Sequence, residues 1–285
     1  MALHSQSQPL LRKLSKLLHD VPQKPSPQGV HRLRTTIRRI EAILDALPEE
    51  NHDKLRRQMR DIRKLAGEVR DLDVQQDLLK QVRAEGHPEQ KEAVALKLTK
   101  KRAKREKRLL SELDSENVAT LRKRLRRLSA ELRLSGEAAQ TPALQDPVRT
   151  ALEQFAQLSS EIESLNQESM HDFRTRCKRI RYLAELGAKQ PDGDLVVGEL
   201  KRLQDAIGGW HDWWQLARLA DRVLKGTPHA MLTGVLRTTV GTQFHLALRT
   251  VREVRASLSA VAAGRRKRAP RTARIHPERT TAAAS

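Results

Sequence analysis

The chain has 285 residues, of which 55 are lysine or arginine and 35 are aspartate or glutamate, so its formal net charge is +20. A field of this sign attracts polyanions over long distances, whatever the fold. The single cysteine, Cys177, excludes an intramolecular disulfide and a cysteine-rich metal site, and favours a reducing, cytoplasmic location. No segment approaches the ~18 apolar residues of a membrane span, and the N-terminus lacks the apolar core of a signal peptide, so we expect a soluble protein.

Hydrophobic periodicity predicts helices along almost the whole chain, and no segment alternates as a strand would. Segments rich in proline, glycine and aspartate separate the helical stretches. We expect roughly eight or nine helices joined by short loops, and therefore an all-α protein. The clearest apolar stripe consists of Leu33, Ile37, Ile40, Leu44 and Leu47, and the breaks are residues 21–29, 84–90, 134–147, 187–194 and 225–228.

A short segment occurs twice, 140 residues apart. VHRLRTTIRRI at 30–40 is echoed by MHDFRTRCKRI at 170–180, which keeps the histidine, the arginine three residues later, and the basic pair that follows. A helix face that merely contacts solvent drifts freely in charge and residue type. The retained histidine and cations therefore point to a role of the charge as well as of the packing.

A second echo follows at an offset of 141 and pairs Gly67 with Gly208 and Asp71 with Asp212. Two echoes in the same order and with nearly the same spacing predict a duplicated unit. We predict an N-terminal helical half, a C-terminal helical half and a basic disordered tail without apolar periodicity. Their predicted ranges are residues 1–140, 141–263 and 264–285.

In both copies of the first segment, the basic residues form a stripe beside the apolar face. Cations three or four positions apart lie about 5 Å from one another along the axis at ~1.5 Å rise per residue. They repel one another, so an anion along the stripe would stabilise it. For any single helix a solvated face is the simpler interpretation. The stripes consist of His31, Arg34 and Arg38 in the first copy and His171, Arg174, Lys178 and Arg181 in the second, with Arg60, Arg63 and Arg70 in a further helix and Lys201 and Arg202 in the equivalent stretch of the second half.

Several of these residues allow two interpretations. Each histidine either bonds a neighbouring carbonyl or carboxylate at a helix start or contacts an anion directly. No second histidine or carboxylate lies at i+4 of His31 or His171, so no metal site is predicted. We expect three acidic residues to orient neighbouring cations through salt bridges, with a metal carried by the anion as the lesser alternative. These residues are Asp71, Asp73 and Asp212.

Two further groups are assigned bland roles. The segment 97–108 has eight basic residues in twelve, and 121–133 is almost as rich. Because these charges surround much of the helix circumference, we expect them to supply a long-range field more than a shaped site. Trp210, Trp213 and Trp214 share helical spacing, which favours core packing over the alternative of stacking on nucleobases.

Four motifs, taken in chain order, resemble those of the CHAD family, the conserved histidine α-helical domain. They are His31-x-x-Arg34 with Arg38-Arg39, RKLAGEVRDLDV at 63–74, His171-Asp172-x-Arg174 with KRIRYLAEL at 178–186, and LQDAIGGWHD at 203–212, and the resemblance covers roughly Pro9 to Ala262. It implies an all-α fold of two antiparallel four-helix bundles, related by a pseudo-two-fold axis around a basic central cavity or groove. One departure is the sequence HDWW at 211–214, where the first half has RDLD at 70–73, so the halves contribute unequal charge.

The resemblance also implies binding of inorganic polyphosphate and association with polyphosphate granules in the cytoplasm. The implied polyphosphate contacts are His31, Arg34, Arg38, Arg39, Arg60, Arg63, His171, Arg174, Lys178, Arg179, Arg181, Lys201 and Arg202.

Three classes of function compete for this sequence. Binding of polyphosphate is favoured because a polymer without bases needs only closely spaced cations. The alternative is a nucleic-acid or nucleoid-associated protein that binds through the basic tail, although no known nucleic-acid-binding motif is present. The third class is an enzyme acting on phosphate anhydrides. The sequence contains neither a phosphate-binding loop nor another catalytic motif, so we expect no catalytic residues and no cofactor.

Overall fold

The computed structural model describes residues 2–45, 52–83, 88–134, 146–227 and 231–268. These residues form nine α-helices and one 3-10 helix and contain no strand, so the prediction of an all-α protein is confirmed. The helices are α1 (Ala2–Gln23), α2 (Pro27–Asp45), α3 (Asp53–Gln81), α4 (Pro88–Glu112), α5 (Ser115–Leu134), α6 (Pro147–Leu158), the 3-10 helix (Ser159–Ser164), α7 (Met170–Leu186), α8 (Gly193–Val223) and α9 (Met231–Arg268).

The predicted breaks coincide with helix ends, and local chemistry explains one of them well. Before α6, the side chain of Asp146 accepts a hydrogen bond from the Arg149 amide at 2.9 Å. Pro147 then occupies the first helical turn, where its missing amide hydrogen costs nothing. Asp146 and Pro147 close the predicted break 134–147, most of which (135–145) lies outside the described residues.

The described helices enclose two separate hydrophobic cores. The first core takes its side chains from α1, α2, α5, most of α3 and the C-terminal end of α4. The second takes them from α6 to α9, together with the C-terminal end of α3 and the N-terminal part of α4. The helices α3 and α4 therefore run from one core to the other, and Leu79, Val94 and Leu98 of the N-terminal half pack in the second core. The pseudo-two-fold relation between two four-helix bundles stays a prediction.

The predicted start of the basic tail is wrong. Helix α9 continues to Arg268, and the guanidinium of Arg265 donates to the Asp146 carboxylate at 2.6 Å and lies 3.7 Å from the carboxylate of Asp192. These contacts join the end of α9 to the beginnings of α6 and α8. The rest of the predicted tail, 269–285, lies outside the described residues.

None of the helices in the described part of the chain combines the length and hydropathy of a bilayer span.

A buried ion pair joins α3 to α4 between the two cores. The carboxylate of Asp73, only 3% exposed, accepts from Nε of Arg102 at 2.6 Å, and Arg102 also donates to Glu106 at 2.9 Å. As predicted, Asp73 orients a cation. The pair ties α4 to α3 at a point between Leu98 and Leu109, the buried apolar residues of α4 on either side of it.

We expect the change Arg102→Met to destabilise the protein strongly. It would leave the Asp73 carboxylate buried without its cation, which costs about 3–5 kcal/mol in other proteins. Urea unfolding followed by circular dichroism measures the loss. The control is Lys107→Met on the exposed side of α4, and equal losses for both variants would contradict the role of the buried pair.

Candidate anion-binding site

A cavity of about 1400 Å³ lies where α3 and α8 pass each other, and α2, α4 and α7 complete its walls. Its charged lining contains ten lysine and arginine side chains but only four carboxylates, together with three histidines. The cations are Arg34, Arg70, Lys97, Lys100, Lys101, Lys104, Arg105, Arg108, Arg174 and Lys178; the carboxylates are Glu68, Asp71, Asp205 and Asp212; the histidines are His31, His171 and His211.

The repeated arginines, Arg34 and Arg174, lie against the repeated glycines, Gly67 and Gly208. We call this part of the cavity its floor. A Cβ atom at Gly67 would lie 3.2 Å from Nε of Arg34, and one at Gly208 would lie 3.2 Å from an Nη atom of Arg174. Any side chain at these glycines would crowd the guanidinium. The two echoes in the sequence are therefore two halves of one contact, in which α2 places an arginine on α3 and α7 places one on α8.

Burial lowers the pKa of both arginines, and the positive charge of Arg38 adds to this effect. Neither Arg34 nor Arg174 forms a direct ion pair with a carboxylate among the described residues. Nε of Arg174 is buried and donates to no acceptor in the same part of the chain. Two partly desolvated guanidinium groups without a direct partner gain from an anion that enters between them.

The repeated aspartates follow the glycines by one helical turn. Asp71 attracts Arg34, and Asp212 attracts Arg174, but neither carboxylate forms the direct salt bridge that we predicted, within the described ranges. Burial and then the nearby charge of Asp71 raise the pKa of Asp212 to about 6, although the charge of Arg174 opposes the shift. Across these ranges, no three histidine, cysteine, aspartate or glutamate side chains are arranged to hold a metal ion.

Lys178 is the third cation of the floor, and its pKa lies close to neutral pH. Burial lowers its pKa to about 7, and the positive charges of Arg174, Arg38 and Arg34 act in the same direction. The carboxylate of Asp71 only partly offsets them. At neutral pH the lysine is therefore partly deprotonated.

The histidines of the repeats lie at the cavity, but they are not equivalent. His31 is largely exposed, but partial burial at the cavity and the charge of Arg70 lower its pKa. His171 packs on His211, with ring centroids 5.0 Å apart. Burial lowers the pKa of His211 to about 4, so this histidine is neutral at pH 7. Among the described residues neither His31 nor His171 donates from its ring to a carbonyl or carboxylate, so no helix-start hydrogen bond is present.

Helix α4 supplies a second wall that the sequence analysis missed. We expected the segment 97–108 to supply a long-range field more than a shaped site, but six of its cations lie on the cavity face, which corrects that expectation. Their spacing of i, i+3, i+4, i+7, i+8 and i+11 marks one helix face. The other cations around the helix concealed this stripe. The wall consists of Lys97, Lys100, Lys101, Lys104, Arg105 and Arg108.

Five of the thirteen predicted contacts line the cavity: His31, Arg34, His171, Arg174 and Lys178. Arg38 lies close enough to act electrostatically on Arg34, Arg174 and Lys178. The other seven do not line it. Arg39, Arg60, Arg179 and Lys201 are exposed elsewhere, and Arg63, Arg181 and Arg202 pair with Glu41, Glu185, and Glu199 and Glu253, respectively.

The tryptophans belong to the packing of α8 against α9. Trp210 is fully buried and contacts Phe244, with ring centroids 5.7 Å apart. Trp214 stacks on Trp210 at 6.1 Å, and the guanidinium of Arg218 lies over its ring at 4.8 Å. The ring of Trp214 thus contacts both an aromatic ring and a guanidinium of the protein, which favours core packing over base stacking.

We expect Gly208→Ala to stabilise the protein less than an ordinary helical replacement does. Alanine gains about 1 kcal/mol over glycine inside a helix, but here its methyl group would displace Arg174. The matched control on the same helix is Gly198→Ala, where a Cβ meets nothing within 4 Å. Urea unfolding of both variants measures the difference, and equal stabilisation would show that the arginine does not depend on the glycine.

Comparison with known proteins bears on the family and the fold. The CHAD domain family model matches residues 6–221. The structure is similar to the crystal structure of the CHAD domain from the plant Ricinus communis, with a TM-score of 0.66 and 18% identity over 91% of each chain. It is also similar to PptA from Streptomyces chartreusis, with a TM-score of 0.63 and 15% identity over 90% of this chain and 98% of that one. A search of curated proteins found no match. The family match over most of the chain, on a fold shared with these structures, shows that the chain belongs to the CHAD domain family.

Proposed function

We propose that this chain binds inorganic polyphosphate in the basic cavity without catalysing its breakdown or synthesis, and that binding recruits the protein to polyphosphate granules. The observation that carries the proposal is the convergence of ten cationic side chains, against four carboxylates, on one cavity. A polymer of phosphates presents negative charge at every repeat. It therefore matches a cavity that offers many cations.

The buried floor supports a specific site over a general attraction. Arg34 and Arg174 are held on glycine backbones and lack direct carboxylate partners within the described residues. A planar guanidinium can donate to two phosphate oxygens at once, and such charge-assisted bonds strengthen when water is excluded. Lys178 and the lysines of the α4 wall then act as point charges along the polymer.

None of the described residues that line the cavity is a serine, threonine, cysteine or tyrosine, so no hydroxyl or thiol nucleophile faces it. His211 packs between His171 and Trp214 and is largely neutral, and Cys177 is buried with its pKa raised to about 12 by burial. We therefore propose a binding protein. Incubation of long-chain polyphosphate with the protein and Mg²⁺, followed by sizing of the polymer, tests this part. Shortened or lengthened chains would overturn it.

The site is tested by removing the two floor arginines together. Arg34→Gln with Arg174→Gln should weaken binding of long-chain polyphosphate by about tenfold or more for each arginine, because each loses a hydrogen-bonded ion contact. Binding is measured by fluorescence titration at ~0.15 M salt, where the field of distant surface charges is screened.

The matched control removes the same net charge from the same two helices. Arg39→Gln with Arg179→Gln changes a repeat-related pair that is exposed outside the cavity, and it should lose far less affinity. Equal losses for both pairs would mean that affinity follows net charge, and the cavity would not be the site.

A comparison of polymers separates polyphosphate from nucleic acid. Wild-type protein should bind long-chain polyphosphate more tightly than DNA of equal charge at ~0.15 M salt. Removal of residues 269–285 should leave this preference intact, whereas DNA binding through the tail would collapse. Binding of DNA as tight as that of polyphosphate would contradict the proposal.

Lys178 makes the affinity depend on pH. Above pH 7 the free protein holds this lysine largely neutral, whereas a bound polyanion favours the charged form. Binding then takes up a proton, so one pH unit of alkalinity above 7 should weaken binding by up to about tenfold. The groups that act on the lysine are Arg34 and Arg38 of α2, Asp71 of α3 and Arg174 of α7.

Lys178→Arg should flatten this profile, because arginine keeps its charge across the range. The dissociation constant is compared at about pH 6 and about pH 8, each within one unit or so of the pKa in question. The control is Lys201→Arg, an exposed lysine outside the cavity. A drop in affinity that is the same in all three proteins would assign the pH dependence to other groups.

A further inference from the structure

The cavity has two parts of different origin. Its floor is built from the repeated residues of α2, α3, α7 and α8. Its α4 wall belongs to neither echo of the sequence. The helix that ends the second half, α9, contributes none of its described residues to the lining. The wall therefore adds cations to one side of a floor that the two repeats share.

The wall is long compared with a single phosphate group. Lys97 and Arg108 are eleven positions apart in one continuous helix, which corresponds to about 16 Å at ~1.5 Å per residue. Arg105 is neutralised by Glu68 of α3 at 2.9 Å. The remaining wall cations, Lys97, Lys100, Lys101, Lys104 and Arg108, form no ion pair with a carboxylate in the described part of the chain.

The wall is also tied to α3, and its cations repel one another. The buried pair of Asp73 with Arg102 ties α4 to α3 in the middle of this stretch. Burial lowers the pKa of Lys101, and the positive charges of Arg222, Lys97 and Arg105 lower it further. A continuous anion that runs along a row of mutually repelling cations on one helix stabilises them.

We propose that the α4 wall is the chain-length selector of the site: the floor binds a short phosphate segment, and the wall adds affinity only for a polymer that extends along α4. This inference rests on the proposed binding of polyphosphate. Tripolyphosphate is much shorter than the wall, so it occupies the floor and leaves most wall cations unneutralised. In a long chain, binding at the wall becomes intramolecular once the floor is occupied, and the second set of contacts raises the affinity without a new encounter.

Salt dependence provides an independent measure of the same contacts. Each phosphate that a cation neutralises releases condensed counterions, so the slope of log affinity against log salt rises with the number of contacts. Long chains should show a steeper slope than tripolyphosphate. The difference between the two slopes reports the wall.

The experiment removes three wall charges, Lys97→Gln, Lys100→Gln and Lys104→Gln, in one variant. Its matched control removes three charges from the exposed face of α5, Lys123→Gln, Arg126→Gln and Arg127→Gln, which lie outside the cavity. Dissociation constants for tripolyphosphate and for long-chain polyphosphate are measured by calorimetry over a series of salt concentrations. Circular dichroism confirms that both variants remain helical.

We expect the wall variant to lose about tenfold or more of the preference for the long chain over tripolyphosphate, with a shallower salt slope for the long chain. The α5 control should keep the preference and the slope. Equal losses for both ligands in the wall variant, or the same lost preference in the control, would overturn the inference while leaving cavity binding intact. No binding of either ligand by wild-type protein would overturn the proposed function itself.

Discussion

The site depends on holding two guanidinium groups close together and partly out of water. Burial lowers the pKa of both Arg34 and Arg174, the charge of Arg38 lowers both further, and the charge of Arg174 also lowers the pKa of Arg34. Their glycine platforms at Gly67 and Gly208 bring each side chain against a helix backbone with no methyl group between. A protein tolerates such a pair only when neighbouring carboxylates or a ligand offset the charge, and Asp71 and Asp212 supply part of that offset.

The scaffold supports this arrangement by placing a hydrophobic core on each side of it. The helices α3 and α4 extend through both cores, so the segments that line the cavity are anchored at each end. Asp73 and Arg102 join the two helices where they pass the cavity. Apolar packing in the two cores therefore offsets the free-energy cost of placing like charges close together in the cavity, since such packing dominates the stability of folded domains.

The two sequence repeats share the residues of the floor but not the charge around it. Where the first half has Arg70, the second has His211, whose burial keeps it neutral at pH 7. Beside it, Trp210 and Trp214 extend the packing towards α9. The second half thus exchanges a cavity cation for aromatic packing, and the first half adds the α4 wall. The result is a cavity with approximate repetition in its floor and clear asymmetry in its walls.

The sequence by itself determined the helical class, most helix ends and the repeated arginine, glycine and aspartate, because hydrophobic periodicity and turn residues act over a few positions. It did not indicate that Arg34 contacts Gly67, or that Arg63 and Arg202 pair with glutamates away from the cavity. Only the tertiary structure decided which face of a helix covered in cations meets another helix. That choice depends on contacts between residues far apart in the chain, and it turned the basic segment of α4 from a general source of charge into one wall of the site.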